Sequence, residues 1–313
     1  MRRRTLLAST LAAPFLSRAA RADDVVIKIG VLKLIHSITP YFYEKFTPAG
    51  YRFEIIPFEA PNDCKNAVVT KSVDFGTFGV AAAILSAVAH EPLTVIGSEC
   101  NKGMAIVAAK NGDINTLKDL KGHRVAIWPG STQEVFVLER LRMEGMSVKD
   151  ITPVRVSFSE MHAALARGDV DAYVGAEPAP GVSISTGVGK IVEYPYSTPM
   201  GSLNMIMATH RDLVEQKPDI CRMVVNVQRQ ASAYAMGNST AMVDMTVAKL
   251  GQKREAIAIS APNVELNWQM TPTMIAECHE YAEQMLGLKQ IKAIPDLNAL
   301  FDPRFSNAVA QQA

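Results

Sequence analysis

Four short segments hold the residues whose types and spacing could do chemistry. In Pro129-Gly130-Ser131-Thr132-Gln133-Glu134, a Pro-Gly turn precedes a serine suited to cap a helix, with a glutamate three residues on as in a capping box. A helix start leaves backbone N–H groups free, and its positive end suits a carboxylate, sulfonate or similar oxyanion. Ser131 can cap while Thr132 and the N–H groups face a ligand, and Gly130 permits close backbone approach. Phe78-Gly79-Val80-Ala81 repeats the arrangement before a helix of small residues, where tight helix–strand packing is an equal explanation. His36 and Ser37 follow the first strand; His36 reads either as a ligand contact or as a structural histidine. Glu177, between Ala176 and Pro178, could accept hydrogen bonds from an amine, amide or hydroxyl, or serve as a salt bridge or latch between lobes. Trp128 could stack on a flat ligand or belong to the core.

Catalytic patterns are missing from the sequence. It contains no G-x-S-x-G, H-E-x-x-H, Walker loop or G-x-G-x-x-G. The six histidines are scattered without metal-ligand spacing, and the 15 methionines suit core filling better than metal binding. No catalytic residue, metal or cofactor is therefore expected.

The elements that would position these segments alternate. Strands are expected at 25–34, 51–57, 73–78 and 93–97, with helices opening at Pro40 and Asn62 and running over 80–89. The pattern restarts near Thr116, with strands at 124–128, 154–156, 170–174, 190–193 and 203–208 and helices at 131–144 and 160–167. Such alternation implies parallel sheets covered on both faces. From Arg211 onward the pattern is helical, bounded by Pro218, Pro262 and Pro272. Lys65 to Gly79 echoes His162 to Ala176, and Val31 to Ser37 echoes Val125 to Ser131, so the two halves are expected to form similar lobes. Ligands of open α/β sheets bind beyond the carboxyl ends of the strands, which is where the four segments fall.

Composition bounds the partners. The chain has 313 residues, 48% hydrophobic and 20% charged, with 32 basic against 31 acidic side chains. That is enough apolar material for two lobes and no basic surplus for nucleic acid. Arg2, Arg3 and Arg4, the short apolar run to Leu16 and Ala20-Arg21-Ala22 read as a cleavable signal peptide over 1–22, of twin-arginine or general secretory type. Its removal takes five arginines and no acid, leaving 27 basic against 31 acidic side chains. Cys64, Cys100, Cys221 and Cys278 show no C-x-x-C spacing, and a Cys64–Cys100 bridge stays open.

Val73-Asp74-Phe75-Gly76, the run from Leu117 to Ala126, Gly130-Ser131-Thr132 and the run from Ala166 to Ala172 resemble the nitrate/sulfonate/taurine-type solute-binding proteins of ATP-binding-cassette importers. The resemblance covers nearly the whole chain beyond residue 22. It implies an α/β type II periplasmic binding protein fold, two Rossmann-like lobes with a double-crossing hinge. Lobe one would hold 23–108 and 207–313, and lobe two 109–206. It further implies a monomeric periplasmic protein that captures a small organic anion, a sulfonate or carboxylate, and delivers it to an inner-membrane permease. The expected ligand set is His36, Ser37, Phe78, Gly79, Trp128, Gly130, Ser131, Thr132 and Glu177, with Tyr196 adding apolar surface. The alternative is an exported enzyme or a pyrimidine-synthase-like protein on the same fold; the cysteine-rich CCCFC-type motif of those synthases is missing here.

Overall fold

The computed structural model describes residues 24–312, so the signal-peptide reading lies outside the described residues. Among the described residues no helix is long and apolar enough to cross a membrane.

The chain opens with β1 (Val25–Leu32), whose last residues are buried, followed by 3-10 turns at Ile35–Ser37 and Thr39–Lys45 in place of the helix expected from Pro40. Then come β2 (Tyr51–Phe58), α1 (Pro61–Val69), β3 (Phe75–Gly79), α2 (Val80–Val88) and β4 (Leu93–Lys102). Next are β5 (Met104–Ala109), β6 (Arg124–Ile127), α3 (Thr132–Met143), β7 (Thr152–Arg155), α4 (Met161–Arg167), β8 (Ala172–Ala176), α5 (Ala179–Ser185) and β9 (Gly189–Glu193). The chain returns through β10 (Leu203–His210) into α6 (Arg211–Gln216), α7 (Pro218–Gly237), α8 (Ser239–Leu250), α9 (Arg254–Ser260), β11 (Val264–Leu266), α10 (Pro272–Gly287) and α11 (Arg304–Ala310).

These strands form two sheets of matching order. The first runs β11-β4-β10-β3-β1-β2 and the second β7-β6-β8-β5-β9. Both are mixed rather than parallel, because β10 enters the first antiparallel to β3 and β4, and β5 enters the second antiparallel to β8 and β9. Each of those strands is the first one the chain makes after changing sheet. The internal echo is realised as α1–β3 and α4–β8, whose strands pair in parallel with β1 and β6 at equivalent places.

The changeovers fall earlier than expected. β5 pairs in the second sheet, so the outward crossing is at Gly103 rather than after 108. β10 pairs in the first sheet from Leu203, so the return occupies 194–202 rather than ending at 206. Lys102 and Gly103 both have left-handed backbone, with φ of 60° and 76°. A Cβ on Gly103 would lie 2.2 Å from His36 Nε2, so glycine is required twice over. A fully buried apolar core lies between the sheets and their helices.

Candidate functional site

The parallel strands of both sheets end at one place. Gly79 closes β3 and starts α2, while Ser131 and Thr132 start α3 after β6. α2 has no side-chain cap of its own. The Thr132 hydroxyl fills that place from the other sheet, accepting the Ala81 N–H at 3.5 Å and donating to the Asn204 carbonyl at 3.3 Å. A Cβ on Gly79 would come within 2.5 Å of Thr132 Oγ1. Gly79 thus permits close approach, and what approaches is the start of the opposing helix. Gly130, with φ of 75°, stands 3.2 Å (from its would-be Cβ) from Asn62 Nδ2. Two helix starts, each with N–H groups that lack intrahelical partners and with a positive end, therefore meet at Gly79 and Thr132.

Ser131 is committed to α3. Its hydroxyl accepts from the Glu134 N–H at 3.2 Å and donates to the Trp128 carbonyl at 2.6 Å. Glu134 completes the cap one residue away from the expected place, accepting the Gly130 N–H at 2.7 Å and an N–H of Gln290 at 3.0 Å. Burial raises its carboxyl pKa against those bonds. Trp128 is half-buried beneath the Arg155 guanidinium, 5.0 Å from its ring centre.

His36 and Glu177 meet at the outward crossing. The His36 ring is fully buried, with Nε2 3.2 Å from the Lys102 carbonyl and Nδ1 without a protein partner. Burial pushes its pKa down to about 4, against carbonyls of the crossing that favour the charged ring. The next backbone bonds tie the same corner: Ile35 N–H to Glu177 O, and Glu177 N–H to Gly103 O. The Glu177 carboxylate takes a hydroxyl from Ser260 at 2.7 Å, an amide from Asn263 at 2.8 Å and the Gly181 N–H at 3.0 Å. All these partners are protein groups, so Glu177 ties α5 to α9; burial raises its pKa while those bonds lower it.

Of the remaining expected residues, Ser37 accepts the Thr77 hydroxyl at 3.0 Å and Phe78 is fully buried in the core cluster. Tyr196 lies in the return crossing, where its hydroxyl accepts Met104 N–H at 2.7 Å and donates to Met104 O at 3.0 Å, stapling the two crossings together. Sequence reading missed Asn204, whose amide donates to the Lys102 carbonyl at 2.6 Å, and Glu99, buried on β4. Both sit where the β4–β10 ladder slips register, a feature no local pattern announces. The four cysteines are free, which leaves no Cys64–Cys100 bridge, and burial raises every thiol, Cys221 to about 12. Among the described residues no group of three or more His, Cys, Asp or Glu could hold a metal. A surface depression of about 410 Å³ lies at the opposite strand ends, lined by Thr94, Arg211 and Phe301 among others, and includes none of the expected residues.

Two mixed sheets of matching order, exchanging one strand after each crossing, define the generic periplasmic binding protein fold. Within it the chain belongs to the NMT1/THI5 like family, whose model matches residues 42–241. A relative in Escherichia coli (strain K12), named for binding aliphatic sulfonates, is 30% identical over 178 residues, 55% of this chain. The match spans 56% of that relative's length. The alkanesulfonate-binding protein SsuA from Xanthomonas axonopodis pv. citri, solved with MOPS, superposes with a TM-score of 0.79 at 19% identity, covering 90% of this chain and 99% of that one. The periplasmic nitrate-binding protein NrtA from Synechocystis PCC 6803 gives 0.75 at 14% identity, covering 93% and 89%.

Proposed function

We propose that the protein is the solute-binding component of an importer and holds a small organic anion between two lobes. Lobe one is built on the first sheet and lobe two on the second, with a hinge at Gly103 and in 194–202. The observation that carries this reading is the meeting of the α2 and α3 starts at Gly79 and Thr132. Each helix end is equivalent to about half a positive charge, and an anion there gains ~0.3–1 kcal/mol per end, up to ~2 kcal/mol where partly buried. The four loops contain no lysine or arginine, so N–H groups and hydroxyls must do the binding. That suits an organic acid, whose body adds apolar contact, better than a bare inorganic ion. A ligand touching both lobes favours the closed form by its difference in affinity, and the closed surface then addresses a permease.

Binding rather than turnover is favoured by the raised thiols and by the Glu177 carboxylate, both of whose oxygens are taken, one by Asn263 and the other by Ser260 and the Gly181 N–H. Thermal unfolding of the purified protein with alkane sulfonates, aromatic carboxylates, nitrate and pyrimidines tests the reading. A ligand at a hundredfold excess over its Kd adds ~2.7 kcal/mol, a shift of several degrees. Sulfonates or carboxylates should raise the midpoint and be recovered unchanged. Stabilisation by pyrimidines alone, or conversion of the bound compound, would replace this reading with the synthase or enzyme alternative.

A further inference from the structure

α9 comes from the helical run after β10, yet it is seated on α5, which follows β8 of the second sheet. The joint is close-packed. A Cβ on Gly181 of α5 would lie 2.1 Å from Ser260 Oγ and 2.7 Å from the Ala256 carbonyl of α9, a backbone approach that glycine permits. The buried Glu177 carboxylate spans the joint, taking the Ser260 hydroxyl on Oε2 and the Asn263 amide on Oε1. The link from α9 to the first sheet is different in kind. α8 packs on α7 and holds Lys249 over the Tyr41 ring, so it goes with the first sheet. From α8 the chain reaches α9 through Gly251, left-handed at φ 68°, and the irregular residues Gln252 and Lys253. The ion pair of Arg254 with Asp244 between α9 and α8 is exposed on both sides. At the other end Val264 pairs with Lys102, so the segment rejoins the first sheet beside Gly103, where the chain makes its outward crossing.

When two lobes part, one of these joints must give. Hydrogen bonds to a buried charge are several times stronger than an exposed ion pair, whose attraction is screened by water and offset by side-chain entropy. Sliding at a close-packed glycine contact also forfeits dispersion energy. The α8–α9 link therefore yields and the α5–α9 joint holds. We infer that residues 254–263 move as part of lobe two, so that the chain crosses the hinge at two further places, 251–253 and the step from Asn263 to Val264. The inference rests on the two-lobe reading above and goes beyond it in the number of pivots. It makes Glu177 the bolt that carries α9 along with α5. The step at Val264 lies next to Gly103 across one strand pair, so both turn about the same axis, while Gly251 and its two successors take up the slack.

Pulsed electron resonance between nitroxide labels tests this without a ligand. The labels, attached through a ketone-bearing unnatural amino acid, go in pairs at Glu54 of β2, Lys149 just before β7 and Glu255 of α9, all exposed. Two backgrounds, matched by circular dichroism, set the lobes. Gly79→Cys with Thr132→Cys, oxidised, holds them closed, because the Cβ positions are 3.5 Å apart, within a disulfide's reach. Gly79→Val wedges them open. From the first background to the second, the Glu54–Lys149 and Glu54–Glu255 distances should both lengthen by several ångströms, and the Lys149–Glu255 distance should not change. Replacing Ser260 and Asn263 by alanine in the wedged protein should broaden the Lys149–Glu255 distribution, since Glu177 loses both donors from this segment; an unbroadened one overturns the role of Glu177. A Lys149–Glu255 distance that lengthens together with Glu54–Lys149 overturns the inference and leaves the two lobes standing. An unchanged Glu54–Lys149 distance overturns the hinged reading, and the inference with it.

Discussion

His36 makes stability depend on pH in a direction that can be worked out. Its pKa is about 4 in the folded protein against 6.5 for an ordinary histidine, because burial disfavours the charged ring. Between those values the unfolded chain binds a proton that the native protein refuses. The contribution is therefore complete above about pH 6.5 and is lost as pH falls towards about 4, by ~3 kcal/mol. The carboxyls of buried Glu99 and Glu177 and of partly buried Glu134 are raised and act with the opposite sign, so the comparison must isolate the ring. His36→Gln keeps a donor for the Lys102 carbonyl without a group that titrates. The stability difference between native protein and variant, from urea unfolding, should shrink by ~3 kcal/mol between about pH 7 and about pH 4. A difference that does not change with pH would contradict the assignment. The strand-end position of His36 was legible in the sequence; its packing on Gly103 was not, because those residues meet only through the fold.

At the scale of elements, the start of α3 is the best-specified feature. Pro-Gly, Ser131 and Glu134 lie within six residues, so local chemistry alone identifies the cap. Ser131→Ala should cost ~1 kcal/mol of unfolding free energy, and up to ~2 kcal/mol because the Trp128 carbonyl also loses a donor. Chemical denaturation reads this directly, and a neutral substitution would show that the cap is dispensable. Other elements escaped the sequence for physical reasons. Met104–Ala109 is an apolar run following β4 after one glycine, with no turn cluster to mark a new strand. The antiparallel entry of β5 and β10 depends on which sheet the chain reaches, which periodicity does not encode. The Glu99 bulge is a matter of register between strands far apart in sequence. Glu177 pairs with Ser260 and Asn263 across more than eighty residues, so its role as a tie was visible only as one of several options.

At the scale of the whole molecule, two sheets are joined at their strand ends by two short crossings. Tyr196 staples one crossing to the other, and His36 and Asn204 both bond the Lys102 carbonyl beside the outward one. In the proposed function the anion lies where α2 and α3 approach, so binding requires Gly79 and Thr132 to come into contact. Gly79→Val tests it, because a Cβ there would sit 2.5 Å from Thr132 Oγ1 and hold the two helix starts apart. The measurement is titration calorimetry of native protein and Gly79→Val with whichever organic anion stabilises the native protein most, on samples matched by circular dichroism. One site per chain is expected, with an affinity at least about tenfold weaker in the variant, a loss of ~1.4 kcal/mol or more. A folded Gly79→Val protein that binds the anion with unchanged affinity would contradict it and place the site elsewhere.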